Sequence, residues 1–120
     1  MKSLRYYLSE LCGISLYCDF RFIGIAAPLP PETTWKWYDL VCDLINFARA
    51  NDKYIPLEIQ LTQAPCLFSV SIYADNNRFG RYLNGYPMDI LIRLTMPGVL
   101  SSDIQILDFE GGSGIMITAC

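Results

Sequence analysis

Two pairs of carboxylates have the residue types and spacing that acid–base or cation chemistry requires. Asp39 and Asp43 are four residues apart, so both side chains lie on one face if the segment is a helix. Asp108 and Glu110 point to one side of a predicted strand that enters a glycine-rich segment. Such pairs catalyse reactions when a pocket drives their pKa values apart, whereas most acidic side chains are solvated. No sign of a pocket accompanies either pair, and we interpret both as exposed faces.

Histidine, the commonest general base and metal ligand, is absent from the 120 residues. The five cysteines, at positions 12, 18, 42, 66 and 120, include no C-x-x-C pair, which is the usual spacing of a redox couple or half of a zinc site. We therefore expect reduced, mostly buried thiols. The sequence predicts a protein that is not an enzyme, with no catalytic residue, no metal and no cofactor.

The charge of the chain argues against nucleic acid as a partner. Twelve acidic residues outnumber nine basic ones, for a net charge of −3, whereas nonspecific binding to DNA needs clustered positive charge. The longest uncharged stretch, between Glu58 and Asp75, contains two glutamines and a proline and is too short and polar to span a membrane. No apolar leader follows the first basic residues. We expect one cytoplasmic domain, residues 1–120, that binds neither DNA nor membranes.

The hydrophobic pattern predicts two helices in the first half of the chain. Apolar residues at helical spacing from Leu4 to Leu11 indicate a short helix, with Ser3 as its N-cap and Gly13 as its end. Residues 14–22 alternate between apolar and polar and predict a strand whose inward face includes Ile14. Residues 34–50 carry the strongest helical stripe and predict one long helix.

The second half of the chain is dominated by period-two alternation. Residues 57–61 and 68–72 predict an antiparallel pair, residues 90–94 predict a further strand, and residues 103–109 and 115–118 flank a glycine-rich hairpin connection. The order of elements predicts the α+β class. We expect two layers, in which one long helix and a short N-terminal helix pack on a mainly antiparallel sheet of about five or six strands.

Residues 76–86 read as an irregular segment rich in arginine and aromatic residues. Arginine and tyrosine are favoured at protein interfaces, because each gives a large contact area or many hydrogen bonds. The competing interpretation is a loop that Phe79, Tyr82 and Leu83 anchor to the core. In that case its arginines pair with Asp75 or Asp89. The candidate contact residues of this segment are Arg78, Arg81, Tyr82 and Tyr86.

A second candidate contact surface lies on the long helix. Trp35 and Tyr38 fall between its apolar stripe and the face of Asp39 and Asp43. If exposed, the two rings form an aromatic patch rimmed by negative charge, a composition typical of interface hot spots. Packing of Trp35 in the core is the competing interpretation.

These features favour a small acidic binding protein that inhibits a protein partner by occlusion. In composition the chain is similar to bacterial immunity proteins, and the expected partner is a basic toxin domain, for example a nuclease. One alternative is a small-ligand-binding or enzymatic α+β domain that uses the segment from Arg78 to Tyr86. Another is a structural subunit that oligomerises by pairing of the strand from Ile115 to Thr118 at a sheet edge.

Overall fold

The computed structural model describes residues 2–15, 17–25, 29–65, 67–86 and 102–119. Within these residues the chain forms three helices and five strands. In chain order they are α1 (Leu4–Ile14), β1 (Cys18–Gly24), α2 (Pro31–Asn51), β2 (Leu57–Ala64), β3 (Leu67–Ala74), α3 (Arg78–Leu83), β4 (Ser102–Phe109) and β5 (Gly112–Ala119). The strands form one sheet in the order β1-β2-β3-β5-β4.

The sheet is mixed. β1 and β2 are parallel and are joined through α2, because parallel neighbours need a long crossover connection. The other three pairings, β2 with β3, β3 with β5 and β4 with β5, are antiparallel. Opposite residues such as Ile59 and Ile72 bury their side chains on the same face, against the helices. The predicted α+β class is confirmed.

Helix α2 begins three residues before the predicted range of 34–50 and ends one residue after it. Pro31 occupies its first turn, where the missing N–H costs no hydrogen bond, and the Asp52 N–H donates to the Ala48 carbonyl at its end. The apolar stripe is buried against the sheet, and Trp37 at its centre is 1% exposed. The buried residues of the helix are Thr34, Trp37, Leu40, Val41, Leu44, Ile45 and Ala48. This stripe fixes which face of α2 is left for other contacts.

The boundary between α1 and β1 differs from the prediction. Ser3 caps the helix as expected, since its hydroxyl accepts from the Tyr6 N–H, but α1 continues through Gly13 and ends at Ile14. Leu8 and Cys12 are buried one turn apart, and this packing outweighs the weak helix propensity of glycine. Ile14 is therefore 82% exposed, and its assignment to the inward face of a strand is wrong.

The segment after β3 also differs from the prediction. Residues predicted to be an irregular loop include a short helix, α3, whose Phe79 and Leu83 are buried in the core. These two side chains are four residues apart, so one helical turn buries both. The strand predicted over residues 90–94 lies outside the described residues.

The last two strands form the predicted hairpin. Phe109 lies opposite Gly112, and the turn passes through Gly111 with a positive φ of 81°. Since β5 is paired with β3 on one side and β4 on the other, it presents no free edge. Oligomerisation by edge pairing of residues 115–118 is therefore wrong. The described part of the chain contains no helix that is long and apolar enough to cross a membrane.

Candidate functional site

A pocket of about 290 Å³ lies on the exposed side of α2. Its described lining consists of Lys36, Asp39, Leu40 and Asp43. Lys36, Asp39 and Asp43 are spaced three to four apart and therefore share one face of the helix, whereas Leu40 is buried at the edge of the apolar stripe. The apolar stripe of α2 faces the sheet, so the helix necessarily directs this polar face away from the core. The volume is at the small end of ligand pockets, which run from about 300 to 1,000 Å³.

Tyr86 holds the carboxylate of Asp43 in place. The Tyr86 phenol donates to Asp43 Oδ2 at 3.3 Å, and its ring packs edge-on against Phe47 with 5.0 Å between centroids. Burial, together with the nearby charge of Asp43, raises the pKa of Tyr86 to about 12. The phenol therefore stays protonated at neutral pH and remains a hydrogen-bond donor to Asp43.

The pocket combines two carboxylates with one ammonium group. Among the described residues, neither Lys36 nor Asp39 forms an ion pair. A carboxylate accepts hydrogen bonds and binds cations, whereas a lysine ammonium donates to anionic oxygens. The pocket can therefore hold a ligand that carries both an anionic group and a cation or amino group.

An aromatic cluster lies beside the pocket, where α1 contacts the first turns of α2. Trp35 is 42% exposed and lies outside the core, with its ring 5.0 Å from Tyr7 and 5.7 Å from Tyr38. Burial raises the pKa of Tyr38, and its neighbour Cys42 adds to this shift. The structure thus places Trp35 on the surface and Tyr38, half-buried, against it.

The predicted contact residues on α3 are separated from that surface. Arg78 pairs with Asp52 at 3.1 Å, at the C-terminal end of α2, rather than with Asp75. Arg81 lines a different depression, of about 230 Å³, together with Asp108 of β4. Tyr82 is half-buried against the core. The anchoring interpretation thus describes Phe79, Tyr82 and Leu83. Of the four predicted contact residues on this segment, Tyr86 is the one that contacts a residue of the α2 pocket, Asp43.

Sequence reasoning missed three features of this part of the molecule. The sequence places Lys36 on one helical face with Asp39 and Asp43. It does not show that a pocket joins these three residues. The contact of Tyr86 with Asp43 spans 43 residues of chain and has no local signal. Ser113 is buried in β5, accepts from the Gly80 N–H at 2.9 Å and donates to the Asn76 carbonyl at 2.6 Å, which fixes α3 against the sheet.

A larger depression, of about 410 Å³, lies on the face of the sheet that the helices leave open. Its two charged residues, Arg21 and Glu58, pair with each other at 3.4 Å. Much of the remaining lining is strand side chains on a flat surface, such as Tyr73 and Phe109. Since its charges already neutralise one another, we regard the α2 pocket as the better candidate for a charged ligand.

Comparison with known proteins gives structural matches only. No protein-family model matches the chain, and no curated protein matches it significantly. The histidine kinase domain of a blue-light-activated histidine kinase from Erythrobacter litoralis superposes with a TM-score of 0.59 over 99% of this chain, at 13% sequence identity. The chain has the fold of a histidine kinase catalytic domain. It spans 65% of the Erythrobacter domain, less than two thirds of its length.

Two further solved structures agree with this fold. The catalytic domain of the histidine kinase ThkA, in a nucleotide-free form, matches with a TM-score of 0.56 at 12% identity, over 96% of this chain and 86% of that one. The histidine kinase domain of the E. coli osmosensor EnvZ matches with a TM-score of 0.51 at 12% identity, over 97% of this chain and 81% of that one. Identities this low establish the fold and leave the activity to be tested.

These matches correct the functional prediction made from the sequence. The prediction of an inhibitor that acts by occlusion, and of an immunity protein in particular, is wrong, because the chain shares its fold with kinase catalytic domains. The prediction that the chain is not an enzyme is contradicted by the same structures. Both predictions rested on net charge and on missing motifs, and neither property specifies how the strands and helices are arranged.

Proposed function

We propose that this chain is a nucleotide-binding domain of the histidine kinase catalytic type, and that the nucleotide binds in the α2 pocket. The fold likeness to a kinase catalytic domain over 96% of the chain carries the proposal. The α2 pocket is the proposed binding site, because its described lining combines positive and negative side chains in one concave surface. A nucleotide presents matching chemistry, with anionic phosphates, exocyclic amino groups and an apolar base.

Lys36 is the residue that would contact the phosphates. Its ammonium group is a compact positive charge that donates to phosphate oxygens in any direction. Leu40, one turn further along α2, also lines the pocket, but its side chain is only 4% exposed and belongs mainly to the core. A pocket this small buries only part of a nucleotide. The affinity would therefore come largely from the few contacts that these pocket residues make.

Asp39 and Asp43 are the residues that would hold a magnesium ion bound to the phosphates. Mg²⁺ is commonly bound by one or two carboxylates, with phosphate oxygens and waters as its other ligands. Two carboxylates in one pocket fit this pattern, and among the described residues no group of three or more metal-binding side chains occurs. The ion would therefore depend on the nucleotide for its remaining ligands, and it would supply the charge that lets phosphates approach two aspartates.

The absence of histidine limits what this chain can do by itself. A phosphohistidine cannot form within these 120 residues. If the bound nucleotide donates its phosphoryl group to a histidine, that histidine lies outside this sequence. Nucleotide binding is therefore the activity to measure first, and phosphoryl transfer requires a second polypeptide or a further segment as acceptor.

Isothermal titration calorimetry with ATP, in the presence and absence of Mg²⁺, tests the proposal. We expect a dissociation constant below about 1 mM with Mg²⁺, in the range of common enzyme–substrate affinities, and a higher melting temperature in its presence. Without Mg²⁺ the two aspartates repel the phosphates, and binding should weaken. No heat and no thermal stabilisation at several millimolar Mg-ATP or Mg-ADP would overturn the proposal.

Two substitutions locate the site. Lys36→Ala and Asp43→Asn should each weaken Mg-ATP binding at least tenfold, about 1.4 kcal/mol. Matched controls are Lys53→Ala and Asp19→Asn, which remove the same charges from exposed positions outside the pocket and should change the dissociation constant less than twofold. Equal effects of pocket and control variants would place the nucleotide elsewhere on the fold.

A further inference from the structure

Two cysteines that the sequence leaves six residues apart are brought together by the fold. Cys12 in α1 is buried, Cys18 at the start of β1 is half-buried, and their Sγ atoms lie 3.2 Å apart with a hydrogen bond between them. A disulfide requires about 2.05 Å, so the sulfurs need to approach by only about 1 Å more. Two free thiols at this separation are close enough to react with each other.

Tyr17, the residue that precedes β1, is held in a defined conformation. Tyr17 adopts a positive φ of 55°, which is uncommon for a residue with a side chain. Its carbonyl accepts from the Leu57 N–H at 2.8 Å and from Arg49 Nη2 at 3.3 Å. These contacts fix the residue before Cys18 and hold that thiol opposite Cys12 without any contribution from a disulfide.

The two thiols differ in their environment. A hydrogen bond with Cys12 lowers the pKa of Cys18, and the positive charge of Arg49 lowers it further, against the effect of burial. The same hydrogen bond and burial raise the pKa of Cys12. Of the two thiols, Cys18 therefore loses its proton more easily and is the nucleophile of the pair, since only the deprotonated sulfur attacks an oxidant. Cys12 retains its proton and is the partner that resolves the product.

We propose that Cys12 and Cys18 form a reversible redox pair that peroxide converts to a disulfide linking α1 to β1. The Cys18 thiolate attacks one oxygen of hydrogen peroxide, the O–O bond breaks, and the departing hydroxide takes a proton to become water, which leaves a sulfenic acid on Cys18. The Cys12 sulfur then attacks the Cys18 sulfur, the S–O bond breaks, and the Cys12 proton leaves with the hydroxyl group as a second water. Two thiols lose two electrons, and one peroxide is reduced to two waters.

The remaining described cysteine serves as an internal comparison. Cys42 lies in α2, where burial raises its pKa, and no other cysteine sulfur contacts it among the described residues. It has neither the thiolate character nor the neighbour that the reaction requires. Oxidation by low concentrations of peroxide should therefore modify the Cys12 and Cys18 pair before Cys42.

Peptide mapping of the unmodified chain tests the proposal without any substitution. Trypsin cleaves after Arg5 and Arg21, so one peptide, residues 6–21, contains both cysteines. After peroxide treatment we expect this peptide to lose about 2 Da and to resist alkylation by iodoacetamide. After reduction with dithiothreitol it should again accept two alkyl groups. Two alkyl groups on peptide 6–21 after treatment, with Cys42 oxidised first, would overturn the proposal.

Two further measurements test whether the fold, and not only the short sequence separation, brings the two sulfurs together and makes Cys18 the nucleophile. Disulfide formation should be at least tenfold faster in the native chain than in urea, because the unfolded connection no longer holds the sulfurs together; equal rates would contradict a role for the fold. Cys12→Ser should stop the reaction at a Cys18 sulfenic acid that dimedone captures, whereas Cys42→Ser should leave the disulfide unchanged. Capture of no sulfenic acid in Cys12→Ser would show that Cys18 is not the nucleophile.

Discussion

The two ends of helix α2 use charged residues in opposite ways. At the C-terminal end, Arg49 donates to the carbonyls of Ile55 and Tyr17, and Asp52 pairs with Arg78. In the N-terminal half, Lys36 and Asp39 face a pocket and form no ion pair among the described residues. One helix therefore carries charges that hold the fold together and charges that are open to a ligand, and residue type alone does not distinguish the two groups.

The difference follows from what each end of the helix meets. The C-terminal end is followed directly by the turn into β2 and faces the α1–β1 connection and α3, so polar backbone groups and opposite charges lie within reach. Carbonyls in such a crowded place need donors, because an unpaired buried acceptor costs about 1–3 kcal/mol. On the pocket side, Asp43 accepts from the Tyr86 phenol, and Lys36 and Asp39 form no ion pair among the described residues. Substitutions at the C-terminal end should thus lower stability more than ligand binding. Substitutions in the pocket should weaken ligand binding more than they lower stability.

The largest expected effect on stability is that of Arg49→Ala. The substitution removes a charged donor from two backbone carbonyls, and we expect the free energy of unfolding to fall by about 2–3 kcal/mol. Urea denaturation followed by circular dichroism measures this change. Lys53→Ala, which removes an exposed cation just beyond the same helix end, is the control and should change stability by less than about 0.5 kcal/mol. An equally small effect of Arg49→Ala would show that the charges at the C-terminal end of α2 do not stabilise the fold more than those in the pocket.

Alkaline pH should reveal the burial of the Tyr86 phenol beside Asp43. The pKa of Tyr86 is raised from 10 to about 12 in the folded state, so its stabilising contribution is complete below pH 10 and is lost as the pH rises toward 12. Two pKa units correspond to about 2.7 kcal/mol, which solvent screening reduces, and we expect a loss on the order of 1 kcal/mol. Denaturation across this range measures it. Tyr86→Phe should lack this component, and an unchanged profile would argue against a buried phenol beside Asp43.

Arg78→Ala should have a smaller effect than Arg49→Ala. The Arg78 side chain is 53% exposed, whereas that of Asp52 is 17% exposed, so the ion pair is only partly shielded from water. We expect a loss of about 1 kcal/mol that shrinks in high salt. A double-mutant cycle with Asp52→Asn isolates the pair. A coupling energy near zero would show that Arg78 does not belong with the structural charges.

Substitutions in the pocket should leave stability almost unchanged. We expect Lys36→Ala and Asp39→Asn each to alter the free energy of unfolding by less than about 0.5 kcal/mol, as is usual for surface positions that form no structural contact. Relief of the repulsion between Asp39 and Asp43 can even stabilise the helix slightly. The same denaturation experiments measure both variants. A loss above 1 kcal/mol would place these residues among the structural charges and weaken the case for a ligand site.

Local pattern predicted most of the elements. The stripe of α2, the Ser3 cap, the antiparallel pair β2 and β3 and the final hairpin all follow from spacing and turn residues near in sequence. Failures arose where a contact distant in sequence decided the outcome. Cys12 packs in the core and extends α1, and buried Phe79 turns a predicted loop into α3. The parallel pairing of β1 with β2 likewise depends on the path of the whole chain.

The candidate site was predictable only in part. Asp39, Asp43, Trp35 and Tyr38 could be placed on one side of a helix from their spacing, and the structure puts them on its surface. Arg78 was grouped with them because of its residue type, although it pairs with Asp52. The contact of Tyr86 with Asp43 and the approach of Cys12 to Cys18 need coordinates, since sequence separation does not give distance.

The sequence by itself determined the secondary structure of the long elements, the α+β class and the absence of an internal histidine acceptor, because periodicity and composition act locally along the chain. Only the tertiary structure decided the order of the strands, the resemblance to kinase catalytic domains and the residues that share a pocket or a thiol pair. The physical reason is that charge and residue type describe each side chain alone. Function in this fold depends on which side chains the packing of helices on the sheet brings within bonding distance.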